Sequence, residues 1–130
     1  MDHNLTLLRL SSALAAHAAS RQTVVTENIA HADTPGYKAR DLPGFAETLA
    51  AGPGFAARAT RPGHLEFGAP AHGAEPVETA AFGAESPNGN SVSLEDQMVR
   101  SAEIRQSHDL ALGVYRKTMD ILRTSIGKAR

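Results

Sequence analysis

The sequence predicts a mainly α protein: long N- and C-terminal helices paired as an antiparallel coiled-coil hairpin, with a Gly/Pro-rich loop or short-strand insert between them. Three observations lead there. Apolar residues recur at 3–4 spacing near both ends of the chain, Gly and Pro crowd the middle, and large apolar residues are scarce. Leu, Ile, Val and Phe total 26 of 130 residues, or 20%, because 23 of the apolar residues are Ala. That share lies at the lower edge for globular sequences, so the core of an isolated monomer should be thin. Narrow Ala-rich seams are buried most simply by laying one helix along the other. This leaves apolar surface over for neighbouring chains.

The first element spans residues 1–32, with its helix over about 3–32. Leu7, Leu10, Leu14, Ala18, Val25 and Ile29 fall near helical spacing, and Ala13, Ala15, Ala16 and Ala19 fill between them. The run Thr23-Val24-Val25-Thr26 is β-branched and weakens the helix locally. Residues 33–90 form a turn motif and a loop-rich insert. From residue 43 onward it holds eight of the eleven Gly and six of the seven Pro, and no sustained period. Composition reads the segment as a long loop, mobile until bound, in which His64–Phe67 and Pro76–Thr79 are the stretches compatible with short strands. The third element, 91–130, follows the turn Ser86-Pro87-Asn88-Gly89-Asn90. Ser93 can cap a helix whose first turn holds Glu95 and Asp96, and an apolar face runs from Leu94 to Ile126. Asp96 and Arg100 make a favourable i,i+4 pair, and Gly113 is an interior weak point.

Composition narrows the function. A net charge of −1 and a pI near 6.6 exclude the basic stripe of a general nucleic-acid binder. No segment is long and apolar enough for membrane insertion, and the start lacks the basic, apolar pattern of a cleavable secretory signal. With no Cys, thiolate catalysis and Cys-based metal sites are ruled out. His3, His17, His31, His64, His72 and His108 are scattered without ligand spacing, and His17 and His108 read as solvated edge positions. No nucleophile elbow, Walker loop or dinucleotide fingerprint occurs. The expectation is therefore a protein without catalytic residues, bound metal or cofactor.

One stretch is denser than a linker requires: NIAHADTPGYKARD, Asn28 to Asp41. Asn28 is a poor helix-interior residue beside the apolar seam. Pro35 disfavours helix at Thr34, and Gly36 can take φ > 0, so the helix stops there. Tyr37, Lys38, Arg40 and Asp41 then alternate as in a strand, and Leu42 and Phe45 can fold back as apolar anchors. A helix stop with a solvated tail explains the turn, but not the number of specific side chains around it.

ENIAHADTPGYKARDLPGF resembles the N-terminal signature of the bacterial flagellar basal-body rod protein family, close to N-I-A-N-x-x-T-P-G-[YF]. The chain is most similar to the short B-type members of the proximal rod. TRPGHL (60–65), SPNGNSVSLEDQM (86–98) and LRTSI (122–126) also match, in order, over nearly the whole length. The chain departs from the pattern at His31, where Asn is usual, at Gln97, where an acid is common, and at Ile104 and His108. The resemblance implies a structural subunit that transmits torque from the membrane ring to the distal rod, hook and filament. It would reach the periplasmic rod of the flagellum's basal body by type III export from the cytoplasm. Its implied partners are copies of itself, other rod subunits, membrane-ring and hook–basal body adaptor proteins and the export apparatus.

Under this reading Asn28, Ile29, Ala30, Asp33, Thr34, Pro35, Gly36, Tyr37, Lys38, Arg40 and Asp41 form an elbow that contacts a neighbouring subunit. Leu7, Leu14, Val25 and Ile29 are expected to make the helix seam with Leu94, Met98, Tyr115, Met119, Leu122 and Ile126. The alternative is a cytoplasmic helical-hairpin adaptor or secretion chaperone, which would fold as a stable dimer on its own.

Overall fold

A computed structural model describes residues 2–50, 75–80 and 83–128. Helix α1 spans Asp2–Ala30, strand β1 Arg40–Asp41, helix α2 Phe45–Ala50, strand β2 Val77–Glu78 and helix α3 Leu94–Lys128. At 1.5 Å per residue, α1 and α3 reach about 43 and 52 Å. They lie antiparallel: Asn28 meets Gln97, Gln22 meets Ser101 and Arg21 faces Glu103, so α1 positions fall as α3 positions rise. The expected hairpin is the observed architecture.

The seam repeats every seven residues. Ser11, Ala18 and Val25 are buried on α1; Gln97, Ile104, Ala111 and Thr118 are buried on α3. A seven-residue repeat keeps one line of side chains facing the partner helix, and Ala18, Val25 and Ile104 form the apolar cluster on that line. The hydroxyls in the seam are satisfied within their own helices, Ser11 donating to Leu8 O at 3.0 Å and Thr118 to Val114 O at 2.9 Å.

This seam differs from the expected one. Val25 is buried and Leu14, Met119 and Leu122 are half-buried, but Leu7, Ile29, Leu94, Met98, Tyr115 and Ile126 are exposed, Met98 to 71% and Ile126 to 69%. Apolar recurrence at 3–4 spacing admits more than one frame, and the frame that meets the partner helix is the seven-residue one, which mixes the small Ser11, Ala18, Ala111 and Thr118 with the larger Val25, Gln97 and Ile104. Leu14, Met119 and Leu122 lie at its flanks, and Leu7, Met98, Tyr115 and Ile126 fall outside it.

The β-branched run does not break α1. Val24 and Val25 are buried, and Thr26 Oγ1 donates to Gln22 O at 2.9 Å, so tertiary packing outweighs local propensity. Ser93 caps α3 as expected: its hydroxyl accepts the Asp96 N–H at 3.4 Å and its carbonyl the Gln97 N–H at 3.0 Å. Helix α2 was not expected, since composition reads its segment as loop; Thr48 closes it with both N–H and Oγ1 on Gly44 O, at 2.9 and 3.1 Å. Of the two stretches compatible with strands, Pro76–Thr79 contains Val77–Glu78, which pairs antiparallel with Arg40–Asp41, while His64–Phe67 lies outside the described residues, as does TRPGHL.

Gly113 sits in uninterrupted helix, and a Cβ built there meets nothing within 4 Å. Gly113→Ala is expected to stabilise the fold by about 0.5–1 kcal/mol. Urea denaturation checks this, and a destabilised variant would show that the position needs its bare backbone.

Candidate functional site

The stretch after α1 folds back along the hairpin and is locked to both helices. Its hub is Asn28, which is fully buried. Its Nδ2 donates to Arg40 O at 2.6 Å and to Gln97 Oε1 at 3.0 Å. Its Oδ1 accepts the Tyr37 hydroxyl at 3.2 Å and the Arg40 N–H at 3.1 Å. Two donors and two acceptor positions are the whole capacity of an amide side chain, so nothing is left unsatisfied. One residue thereby joins α1, β1 and the first turn of α3.

A second buried amide does the same for the turns. Asn90 Nδ2 donates to His31 O and Thr34 O, both at 2.8 Å, and Asn90 Oδ1 accepts the Val92 N–H at 2.8 Å. It adds a second donor to two carbonyls of the turn after α1, His31 O already accepting the Thr34 N–H at 3.0 Å and Thr34 O the Tyr37 N–H at 3.3 Å. Gly36 has φ +73° and Gly89 φ +82°, and the Gly36 N–H donates to Asn88 O at 3.0 Å. The two turns touch there: a Cβ on Gly89 would lie 3.5 Å from Gly36 Cα. His31 stacks on Tyr37 at 4.6 Å between ring centroids. The Ser91 N–H donates to Tyr37 O at 3.0 Å, and Ser91 Oγ accepts the Ala39 N–H at 2.8 Å.

The end of the strap is held by charge. Asp41 is buried and accepts Arg21 Nε and Nη2 in a two-pronged pair at 2.8 Å each, plus Arg100 Nη1 at 2.5 Å. Arg100 also donates Nε to Asp96 at 2.8 Å, the expected i,i+4 pair. Asp41 thus links α1 to α3. Burial by itself raises its carboxyl, but the Arg21 hydrogen bonds and charge, the Leu42 N–H and Arg100 outweigh that and hold it below the usual carboxylate value of 3.8. The Arg21 guanidinium is raised, first by its hydrogen bond to Asp41. A depressed folded pKa means the unfolded chain binds the proton more readily. This stabilisation is therefore present above pH 3.8 and lost as pH falls through the folded value. Asp41→Asn is expected to lower stability at pH 7 by about 2–4 kcal/mol and to flatten acid unfolding below about pH 4. Denaturation at pH 7 and pH 3 checks both; equal acid sensitivity in the two chains would assign the transition elsewhere.

The remaining motif residues lie on the outside. Lys38 pairs with Glu85, Arg40 lies 3.9 Å from Glu27, and Ile29, Ala30, Asp33, Thr34 and Pro35 are exposed at the corner. Leu42 is buried and Phe45 half-buried against α1. His17, read from sequence as a solvated edge, is half-buried: its Nε2–H donates to Pro43 O at 2.9 Å and its ring meets Phe45 edge-on at 5.6 Å. The signal for this contact was the Leu42–Phe45 anchor, but nothing in the sequence told which α1 residue would receive it. A cavity of about 60 Å³ beside it is lined by Leu14, His17, Ala18, Arg21, Phe45, Ile104 and Ser107, far below the size of a metabolite site. Among the described residues no three His, Asp or Glu converge as metal ligands, and no helix is long and apolar enough to cross a membrane.

Fold and site together define a helical-hairpin protein with a strapped, hydrogen-bonded corner at one end and unburied apolar faces along its length. No family model matches the chain. It is 31% identical over 107 residues to the flagellar basal body rod protein FlgB of Cereibacter sphaeroides, covering 82% of this chain and 83% of that one. It is 34% identical over 109 residues to the flagellar basal body rod protein FlgB of Agrobacterium fabrum, covering 80% of each. The chain belongs to the flagellar basal body rod protein family.

Proposed function

We propose that this chain is a structural subunit of the proximal rod of the bacterial flagellum, acting without catalysis and passing torque from the membrane ring towards the distal rod, hook and filament. The observation that carries the reading beyond family membership is the contrast between the two parts of the molecule. The corner from Asn28 to Asp41 is tied to both helices through the saturated Asn28 amide and the Asp41 ion pairs, while Leu94, Met98, Leu110 and Ile126 stand more than half exposed on α3. A folded unit with a cross-linked corner and bare apolar flanks is completed by neighbours. Those neighbours are copies of the chain, other rod subunits, and the membrane-ring and hook–basal body adaptor proteins. The corner supplies the contact to the next subunit, and the chain reaches the periplasm through the flagellar type III apparatus.

Mass spectrometry of purified hook–basal bodies tests this. The chain is expected there in stoichiometric amount. Its absence, with other rod subunits detected, would sink the rod reading and favour a cytoplasmic adaptor or secretion chaperone.

A further inference from the structure

Of the four asparagines in the chain, Asn4, Asn28, Asn88 and Asn90, only Asn88 precedes a glycine. That pairing carries chemistry as well as shape. Glycine has no side chain to shield its own backbone nitrogen, so that nitrogen reaches the preceding side-chain amide carbon with little hindrance. Asn28 and Asn90 are buried and followed by Ile29 and Ser91, whereas the Asn88 side chain is exposed to water. In the folded corner the nucleophile is held back. The Gly89 N–H donates to Ser86 O at 2.8 Å, closing a turn through Pro87, and the Ser86 N–H donates to Asn90 O at 3.0 Å. Asn88 O accepts the Gly36 N–H at 3.0 Å, and Asn88 Oδ1 accepts the Asn90 N–H at 3.1 Å. The last of these bonds polarises the side-chain amide and by itself favours attack. The first decides the balance, because the Gly89 nitrogen attacks only after losing its proton, and the closed turn holds that proton on Ser86 O.

We propose that Asn88–Gly89 is a covalent modification site gated by the corner: the closed turn keeps Asn88 intact, and the opened turn lets it deamidate to isoaspartate. The Gly89 nitrogen gives its proton to hydroxide and bonds to Asn88 Cγ. The Cγ–Nδ2 bond breaks, Nδ2 takes a proton from water and leaves as ammonia, and a succinimide ring closes. Water then adds at the Asn88 main-chain carbonyl carbon, the bond from that carbon to the Gly89 nitrogen breaks, and the nitrogen regains a proton. Water is the only co-reactant. The main chain now runs through Cγ, one methylene longer, and the former carbonyl is a pendant carboxylate. That insertion displaces Gly89 from Gly36, where a Cβ on Gly89 would lie 3.5 Å from Gly36 Cα, and it moves the acceptor of the Gly36 N–H. A corner that ages while open is therefore kept from closing. Hydrolysis at Cγ gives aspartate instead, which preserves the main chain and an acceptor for the Asn90 N–H.

Peptide mass spectrometry of the purified full-length chain, incubated in mildly alkaline buffer with and without urea, tests the gate. Fragmentation that distinguishes isoaspartate from aspartate reads the product at position 88 over time. The folded chain is expected to react on the order of a hundredfold more slowly than the urea-unfolded chain, because only the locally opened fraction reacts. Gly36→Val, which parts the two turns, is expected to speed the reaction in buffer by roughly tenfold or more, while Gly36→Asn stays near the wild-type rate. Circular dichroism checks that the Gly36→Val hairpin persists; where it does not, the wild-type comparison with urea decides. Equal rates in buffer and urea overturn the gate, and an intact Asn88 in urea overturns the site. A folded Gly36→Val chain as slow as wild type would show that the corner is not what protects Asn88. Detection of the chain in hook–basal bodies is a separate readout, so this chemistry and the rod assignment fail independently.

Discussion

An Asn28→Asp chain is expected to lose about 3–5 kcal/mol at neutral pH, a large part of the 5–15 kcal/mol typical of a domain. The side chain is fully buried, and its Nδ2 faces two acceptors, Arg40 O and Gln97 Oε1. A carboxylate donates nothing, so both acceptors lose their partner and a negative charge sits against a carbonyl oxygen that was 2.6 Å away. Gln97 can turn its amide to donate; the backbone carbonyl of Arg40 cannot. Burial then raises the new carboxyl in the folded state. By linkage the penalty is greatest above that raised pKa and shrinks as pH falls, because the protonated acid recovers a donor. Asn28→Ala, which removes the hub without adding charge, is expected to cost about 2–3 kcal/mol with no such pH dependence. Urea titrations at pH 7 and pH 5 separate these outcomes. A loss under 1 kcal/mol for Asn28→Asp at pH 7 would mean the corner does not depend on this amide.

The second large effect is expected at Gly36. Its φ of +73° lies in the left-handed region, yet a Cβ there meets no atom within 4 Å. Space is therefore not the constraint, and the whole cost comes from the backbone. Gly36→Val should destabilise the turn by roughly 2–3 kcal/mol, Gly36→Ala by about 1–2, and Gly36→Asn by less than about 1. Relaxing the strain would pull the Gly36 N–H off Asn88 O and part the two turns at Gly89. In a motility complementation assay, Val should block rod assembly and Asn should largely restore it. Normal rods in the Val strain would remove the corner from the assembly mechanism. Equal failure of Asn and Val would point instead to a neighbour that reads the bare backbone of Gly36.

Much of the corner was legible in its residues. Pro35 after Thr34, a glycine next, and the Ser86–Asn90 turn announce two chain reversals through local sterics alone. What their spacing could not announce is that these turns meet. The Gly36–Gly89 contact joins positions 53 apart, and Asn28 reaches Gln97 over 69. An isolated Asn near a seam reads as a weak helix residue, and only when Arg40, Tyr37 and Gln97 surround it does it become a saturated hub. Asp41 is similar: in sequence it is one acid in a charged tail, and in space it is held by guanidinium groups from two helices.

The sequence by itself determined the hairpin, because helix caps, 3–4 periodicity and Gly/Pro punctuation are local properties that each segment carries unaided. Tertiary structure alone decided which helix faces meet. Seven-residue repetition of Ser11, Ala18 and Val25 against Gln97, Ile104, Ala111 and Thr118 is the line that is buried, while Leu7, Met98, Tyr115 and Ile126 are left exposed. Which frame is buried is a property of the pair: Gln97 is chosen because Asn28 of the other helix meets its side chain, and neither helix read alone contains that partner.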